Sequence, residues 1–130
     1  IKLPGLNLFS TFKFRERLKI FFHTKNKSLD DWYEFSSTLL GGFPELQTFG
    51  NRANIFLADK NYDVVIDNQS ISFGMIDIQK SKPLIEIMHH PISKDYFYDL
   101  KFARGLVQRL SKIRWFSFLK MQKKSLLLIY

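Results

Sequence analysis

Between Leu18 and Leu40 the chain changes its period. Leu18, Ile20 and Phe22 alternate with Lys19, Phe21 and His23, which predicts a strand with one apolar face and one mixed face. Leu29, Trp32, Phe35, Leu39 and Leu40 then recur at helical spacing, with Ser28 placed as an N-cap. Asp31, three residues beyond that cap, can reach back to it in a capping box. Gly41-Gly42 supplies the permissive backbone that ends a helix, and Pro44 follows.

Downstream, Phe43 to Phe49 reads as a short connection, and Asn54–Ala58, Tyr62–Asp67 and Ser70–Ile78 read as successive strands joined by Asp59-Lys60-Asn61 and Asp67-Asn68-Gln69 turns. Ile71, Phe73 and Met75 alternate in the third of these, and Gly74 within it marks a bulge or a close backbone approach. Leu84–Met88 is one more strand. Ser93 then caps a second helix of about 12 to 20 residues, carried by Phe97, Leu100, Val107, Leu110 and Ile113. Gly105 costs that helix about 1 kcal/mol or marks its end. The sum is an α+β fold: a mainly antiparallel sheet of four to five strands, two helices and a basic C-terminal extension.

Length and composition fit one compact domain, since 130 residues with 45% hydrophobic side chains can bury a core. No apolar run approaches the roughly 18 residues of a membrane span, and no signal-peptide pattern is present. The chain opens on Ile1, not Met, which fits a processed or partial product or an unusual start codon. Without cysteine there is no disulfide and no thiolate metal site. The abundance of Phe, Ile, Lys, Asn and Tyr beside three alanines follows AT-rich codon usage, so the aromatic excess alone defines no stacking platform.

Charge changes the picture more. The net +8 divides into +6 over residues 1–27, −6 over 28–99 and +8 over 100–130. Basic ends on an acidic middle point to contact with a polyanion. The tetrad Phe12-Lys13-Phe14-Arg15 alternates aromatic and basic residues, either presenting Lys13, Arg15, Arg17 and Lys19 to phosphates or forming a half-buried strand with a solvated face. The tail interleaves Arg109, Lys112, Arg114, Lys120, Lys123 and Lys124 with Trp115, Phe116, Phe118, Leu119 and Met121, a pattern that suits RNA, a protein neighbour or a membrane surface.

Groups for catalysis do not converge. His89 and His90 follow a strand, where neighbours point to opposite faces and do not share a metal. Asp30-Asp31 reads as a helix start, and Asp63 and Asp67 as turn residues. Gly41-Gly42 lacks the Lys-Ser/Thr of a phosphate loop.

Several stretches resemble the universal large-subunit ribosomal protein five family. Thr11-Phe12-Lys13-Phe14-Arg15 is similar to its Gly-Phe-Lys-x-Arg segment, and Leu18–Thr24 to the strand that follows. Trp32-Tyr33-Glu34-Phe35 through Pro44-Glu45-Leu46 and Thr48-Phe49 resembles its "MYEFLDRL...LPRIRDF" helix and exit. Asn61-Tyr62 and Ser72-Phe73-Gly74 are more loosely similar to its "GNYTLGI" strand, and Leu84–His89 with Ser93–Leu106 to its last strand and helix. The family's "NMGVGEA" and "FDGRG" patterns are absent, and Leu3-Pro4-Gly5-Leu6-Asn7 lacks the basic residues of its transfer-RNA-facing loop.

The resemblance implies a single domain over 1–106 and a basic aromatic extension over 107–130. It implies a non-enzymatic structural constituent of a large ribosomal subunit at the central protuberance, in a mitochondrial ribosome by composition. The partners expected are large-subunit rRNA, with 5S RNA if retained, neighbouring ribosomal proteins and the small-subunit head; no cofactor, metal or small-molecule substrate is expected. RNA contacts fall to Lys13, Arg15, Arg17, Lys19, Lys25, Arg104, Arg109, Lys112, Arg114, Lys120, Lys123 and Lys124. The alternative is an accessory structural subunit of an organellar membrane complex, its tail lying on anionic lipid.

Overall fold

A computed structural model describes residues 3–11, 13–89 and 92–129. The tetrad residue Phe12 and the histidine His90 lie outside the described residues. A 3-10 turn at Leu8–Ser10 precedes three helices, α1 (Phe14–His23), α2 (Leu29–Leu40) and α3 (Glu45–Ala58). Strand β1 (Val65–Asn68), helix α4 (Phe73–Gln79) and strand β2 (Leu84–Ile87) follow, then α5 (Ile92–Phe102), α6 (Gly105–Trp115) and α7 (Phe118–Leu126).

The expected antiparallel sheet of four to five strands is not formed. Among the described residues there are two short strands, paired in parallel with Val65 opposite Leu84 and Asp67 opposite Glu86, and seven α-helices where two were expected. Parallel neighbours need a crossover, and α4 is that crossover. Residues 70–78, read as a strand from the Ile71/Phe73/Met75 alternation, instead bury Ile71, Gly74, Met75 and Ile78, which is a spacing of three to four. Asn54–Ala58 is the last turn of α3. Leu18–His23 belongs to α1, whose more buried side is Arg17, Ile20 and Phe21, so the period-2 alternation there did not report a pleat.

The helix α2 forms as its caps dictate. Ser28 accepts from the Asp31 N–H at 3.2 Å, Asp31 accepts in return from the Ser28 N–H at 2.8 Å, and Gly41 closes the helix with φ 73°. Its apolar stripe is covered only around Phe35, which stacks on Phe21 with Trp32 edge-on to the same ring. Leu29 and Leu40 are 88% and 65% exposed, while Asp31, Glu34 and Ser37 face inward. Those inward carboxylates meet Arg52 of α3: Nη2 lies 3.0 Å from Asp31 and Nη1 2.7 Å from Glu34. The same carboxylates accept the backbone N–H groups of Leu6 and Leu8, each at 2.8 Å, and Glu34 also accepts the Thr48 hydroxyl at 2.7 Å. Both carboxylates and the guanidinium are thus paired and hydrogen-bonded, with only Arg52 Nε left without a partner among the described residues, which is what allows a polar helix face to pack inward.

Helices α3 and α4 cross at Gly50 and Gly74. A Cβ on Gly74 would overlap the Gly50 carbonyl and lie 2.5 Å from the Asn51 nitrogen, and one on Gly50 would stand 3.3 Å from the Gly74 Cα. Gly74 therefore marks the close backbone approach read from the sequence, made between helices and not in a strand. This contact lets Met75 and Ile78 reach Ala53 and Leu57 on one side and Val65 and Leu84 on the other. Ile66, Ile85 and Ile87 point away from that core and remain exposed. At the C-terminal end, Phe116, Phe118 and Leu119 pack on Phe43, Leu46 and Tyr96.

Candidate functional site

The β1-α4-β2 unit brings the carboxyl ends of two parallel strands side by side. This is the place where open α/β sheets hold ligands. Asn68 ends β1 and His89 follows β2 by two residues, and the His89 Nε2 contacts the Asn68 side-chain oxygen. Gln69, next along, sits at φ 68° in the left-handed region, which is uncommon outside glycine and clusters at functional sites. Its side-chain oxygen accepts the His89 N–H at 3.4 Å, so the two strand ends are tied by side chain as well as by ladder. Ser70 closes the turn: its N–H donates to Asp67 at 2.9 Å and its hydroxyl contacts the other Asp67 oxygen.

Just inside, the register sets Asp67 against Glu86 on the helix-covered face. Burial, with the Asp67 carboxyl beside it, pushes Glu86 up to about 8. The pair thus favours holding a proton on Glu86 well above the ordinary carboxylate range. Beyond the strand ends a cavity of about 90 Å³ is walled by α5 and α7, with Gln69, Ser93, Gln122 and Lys123 as its polar lining.

The basic residues expected to touch RNA fall into separate groups. Since α1 is a helix and not a strand, the four do not alternate on a strand face: Lys13, Arg15 and Lys19 line one open depression with Phe14 and Glu16, while Arg17 turns back to donate to the Thr11 carbonyl at 2.8 Å and to cover the Phe9 ring. Lys13 pairs with Glu16 at 3.2 Å, and Lys25 is exposed between α1 and α2. Arg104, Arg109 and Arg114 are exposed on and around α6, while Lys112 pairs with Asp99 of α5 at 2.7 Å. Lys120, Lys123 and Lys124 are exposed on α7, and of all twelve residues Lys123 alone lines the cavity at the strand ends.

Asn68, Gln69 and His89 were passed over in the sequence, Asn68 and Gln69 as turn residues and His89 only as a poor metal ligand. The signal available was that polar side chains directly follow two apolar strands. No group of three His, Asp or Glu placed to hold a metal occurs among the described residues, and no described helix is long and apolar enough to cross a membrane.

No family model matches the chain, and no solved structure matches it. The chain is 35% identical over 126 residues to the MMP alpha-(1->4)-mannosyltransferase of Mycolicibacterium hassiacum. The alignment takes in 95% of this chain and spans 30% of that relative's length.

This similarity overturns the resemblance to the ribosomal protein five family. That resemblance rested on short stretches, of which one, Trp32 to Phe35, is a helix of common capped type, and others, Leu18–Thr24 and Ser72–Gly74, matched strands where α1 and α4 stand. With it go the ribosomal role, the rRNA and ribosomal-protein partners and the alternative of a structural subunit in a membrane complex. The expectations of a non-enzyme and of no small-molecule substrate do not stand beside a relative named as a mannosyltransferase.

Proposed function

We propose that this chain forms part of a glycosyl-transferring enzyme and holds a mannosyl sugar at the carboxyl ends of β1 and β2. The observation that carries the reading is the Asn68–His89 pair at those strand ends, in a chain 35% identical to a mannosyltransferase. In glycosyl transfer a hydroxyl of the acceptor forms a bond to the anomeric carbon of an activated sugar as the bond to the leaving group breaks, and the hydroxyl proton passes to a base. With the Asn68 oxygen accepting from His89 Nε2–H, Nδ1 is left as an acceptor for a sugar hydroxyl. The Asn68 amide N–H groups donate to a second hydroxyl, and the pair fixes the orientation of the ring. Closely spaced polar groups of this sort discriminate sugars well, because a misplaced hydroxyl leaves a site group unpaired.

The test is an NMR titration of the chain with an α-(1→4)-linked mannose disaccharide. Shifts confined to Asn68, Gln69 and His89, lost in His89→Ala and Asn68→Ala chains that keep the wild-type fold, are expected. No shift at any soluble concentration, or shifts elsewhere, would remove the reading.

A further inference from the structure

We propose that the small cavity between the β1 exit, the first turn of α5 and α7 is a subsite for an oxyanion, a phosphate group above all. Its polar lining consists of Gln69, Ser93, Gln122 and Lys123: two amides, a hydroxyl and an ammonium group, with no carboxylate among them. Gln122 is only 7% exposed, and no described residue hydrogen-bonds its side-chain amide. Its amide is therefore left to water or to a ligand in the cavity that it lines. One turn further on, the Ser125 hydroxyl is fully buried and unpartnered, behind the cavity and not in its lining.

The charge in the lining is positive, which favours an anion over a neutral hydroxyl. Lys123 supplies a full charge, and Ser93 lies in the first turn of α5, an eleven-residue helix whose N-terminus adds partial positive charge. Asp95 occupies the same turn of α5 but does not line the cavity. The remaining wall includes Ile71, Leu119 and Leu126, and this apolar surround strengthens any charge-assisted hydrogen bond formed inside. About 90 Å³ has room for a small tetrahedral group and not for a whole sugar ring. This site stands on its own lining and does not depend on the transferase reading.

The experiment is titration of the chain with inorganic phosphate at fixed ionic strength, followed by the backbone amide signals, with a hexose phosphate as a second arm. Saturable shifts at Ser93, Gln122 and Lys123 are expected, and Lys123→Gln should weaken binding about tenfold. Lys120→Gln, on the same helix but outside the cavity, should bind as the wild type does. Tighter binding of the hexose phosphate would mean that the anion arrives attached to a sugar; equal binding would mean that the phosphate alone is read. Non-saturable shifts, or equal losses in Lys120→Gln and Lys123→Gln, would overturn the subsite in favour of diffuse attraction to a basic helix. Because Lys123 is exposed, its substitution does not threaten the fold, whereas Gln122→Leu serves only as a second check.

Discussion

Arg52 Nη1 stands 2.7 Å from the Glu34 carboxylate with both side chains shielded from solvent, and this contact holds the N-terminal half of the molecule in register. Glu34 uses its other oxygen to hold the Leu8 N–H, and Asp31 holds the Leu6 N–H, so one guanidinium anchors α2, α3 and the segment before α1. Gly5 fits against the same group: with φ 101° and a Cβ position 2.5 Å from Arg52 Nε, a larger residue there meets both strain and collision.

Arg52→Met should therefore destabilise the fold by about 3–5 kcal/mol, because it leaves two carboxylates buried without a counter-charge. Urea denaturation followed by circular dichroism measures it. A loss under about 1 kcal/mol would mean that water already reaches the network.

Acid should act on the same network. Burial opposes ionisation of Asp31, but the N–H groups of Leu6 and Ser28, the Ser28 hydroxyl and the Arg52 guanidinium outweigh it and hold the carboxyl below the ordinary aspartate value of 3.8. A carboxylate with a depressed folded-state pKa contributes stability that is whole above its unfolded value and is lost as pH falls through the folded one. Stability measured from pH 5 downward should decline, and Asp31→Asn should remove part of that slope while lowering stability at neutral pH. An unchanged slope would assign the acid sensitivity to other groups.

Glu86 gives the opposite sign. Unfolded it releases its proton near 4.5 and folded near 8, so between these values the folded chain carries a proton the unfolded chain lacks. Stability from this group is greatest at the acidic end and falls as pH rises through the window. Glu86→Gln, which keeps the shape and cannot ionise, should flatten that fall and leave the variant more stable than wild type at pH 8. Thermal melts at pH 5 and pH 8 decide it; parallel losses in both proteins would disprove the assignment.

Gly74→Ala should cost about 1–3 kcal/mol, since the added methyl meets backbone of α3 rather than a side chain that could move aside. Its melting temperature, compared with that of Gly105→Ala, where φ is 84° but no atom lies within 4 Å, separates collision from backbone strain. A larger loss at Gly105 would show that the helix crossing yields easily.

What could be read in the sequence was whatever short-range chemistry decides. Ser28, Asp31 and Gly41 define α2 because capping is local, yet the side that α2 buries depended on Arg52, twenty-one residues from Asp31, and no periodicity shows that. Both strands were found near their true places, Tyr62–Asp67 and Leu84–Met88 against Val65–Asn68 and Leu84–Ile87. An antiparallel pair requires 70–78 to be a strand; it holds the crossover helix instead, and a parallel pair follows. The candidate site shared that fate, since Asn68 and His89 become neighbours only when the strands run the same way. The basic tail was visible as composition, but only Lys123 proved to line a cavity.

The Gly50–Gly74 crossing has a consequence for how such a chain can drift under mutation. Gly74 cannot acquire a side chain while α3 stays where it is, and a side chain on Gly50 would have to displace the Ser72 hydroxyl at the start of α4, so the two sites constrain each other. Separating α3 from α4 to make room would tilt the crossover between β1 and β2 and carry Asn68 away from His89. Selection on the geometry of the strand ends would thus be recorded in two glycines that take no part in it.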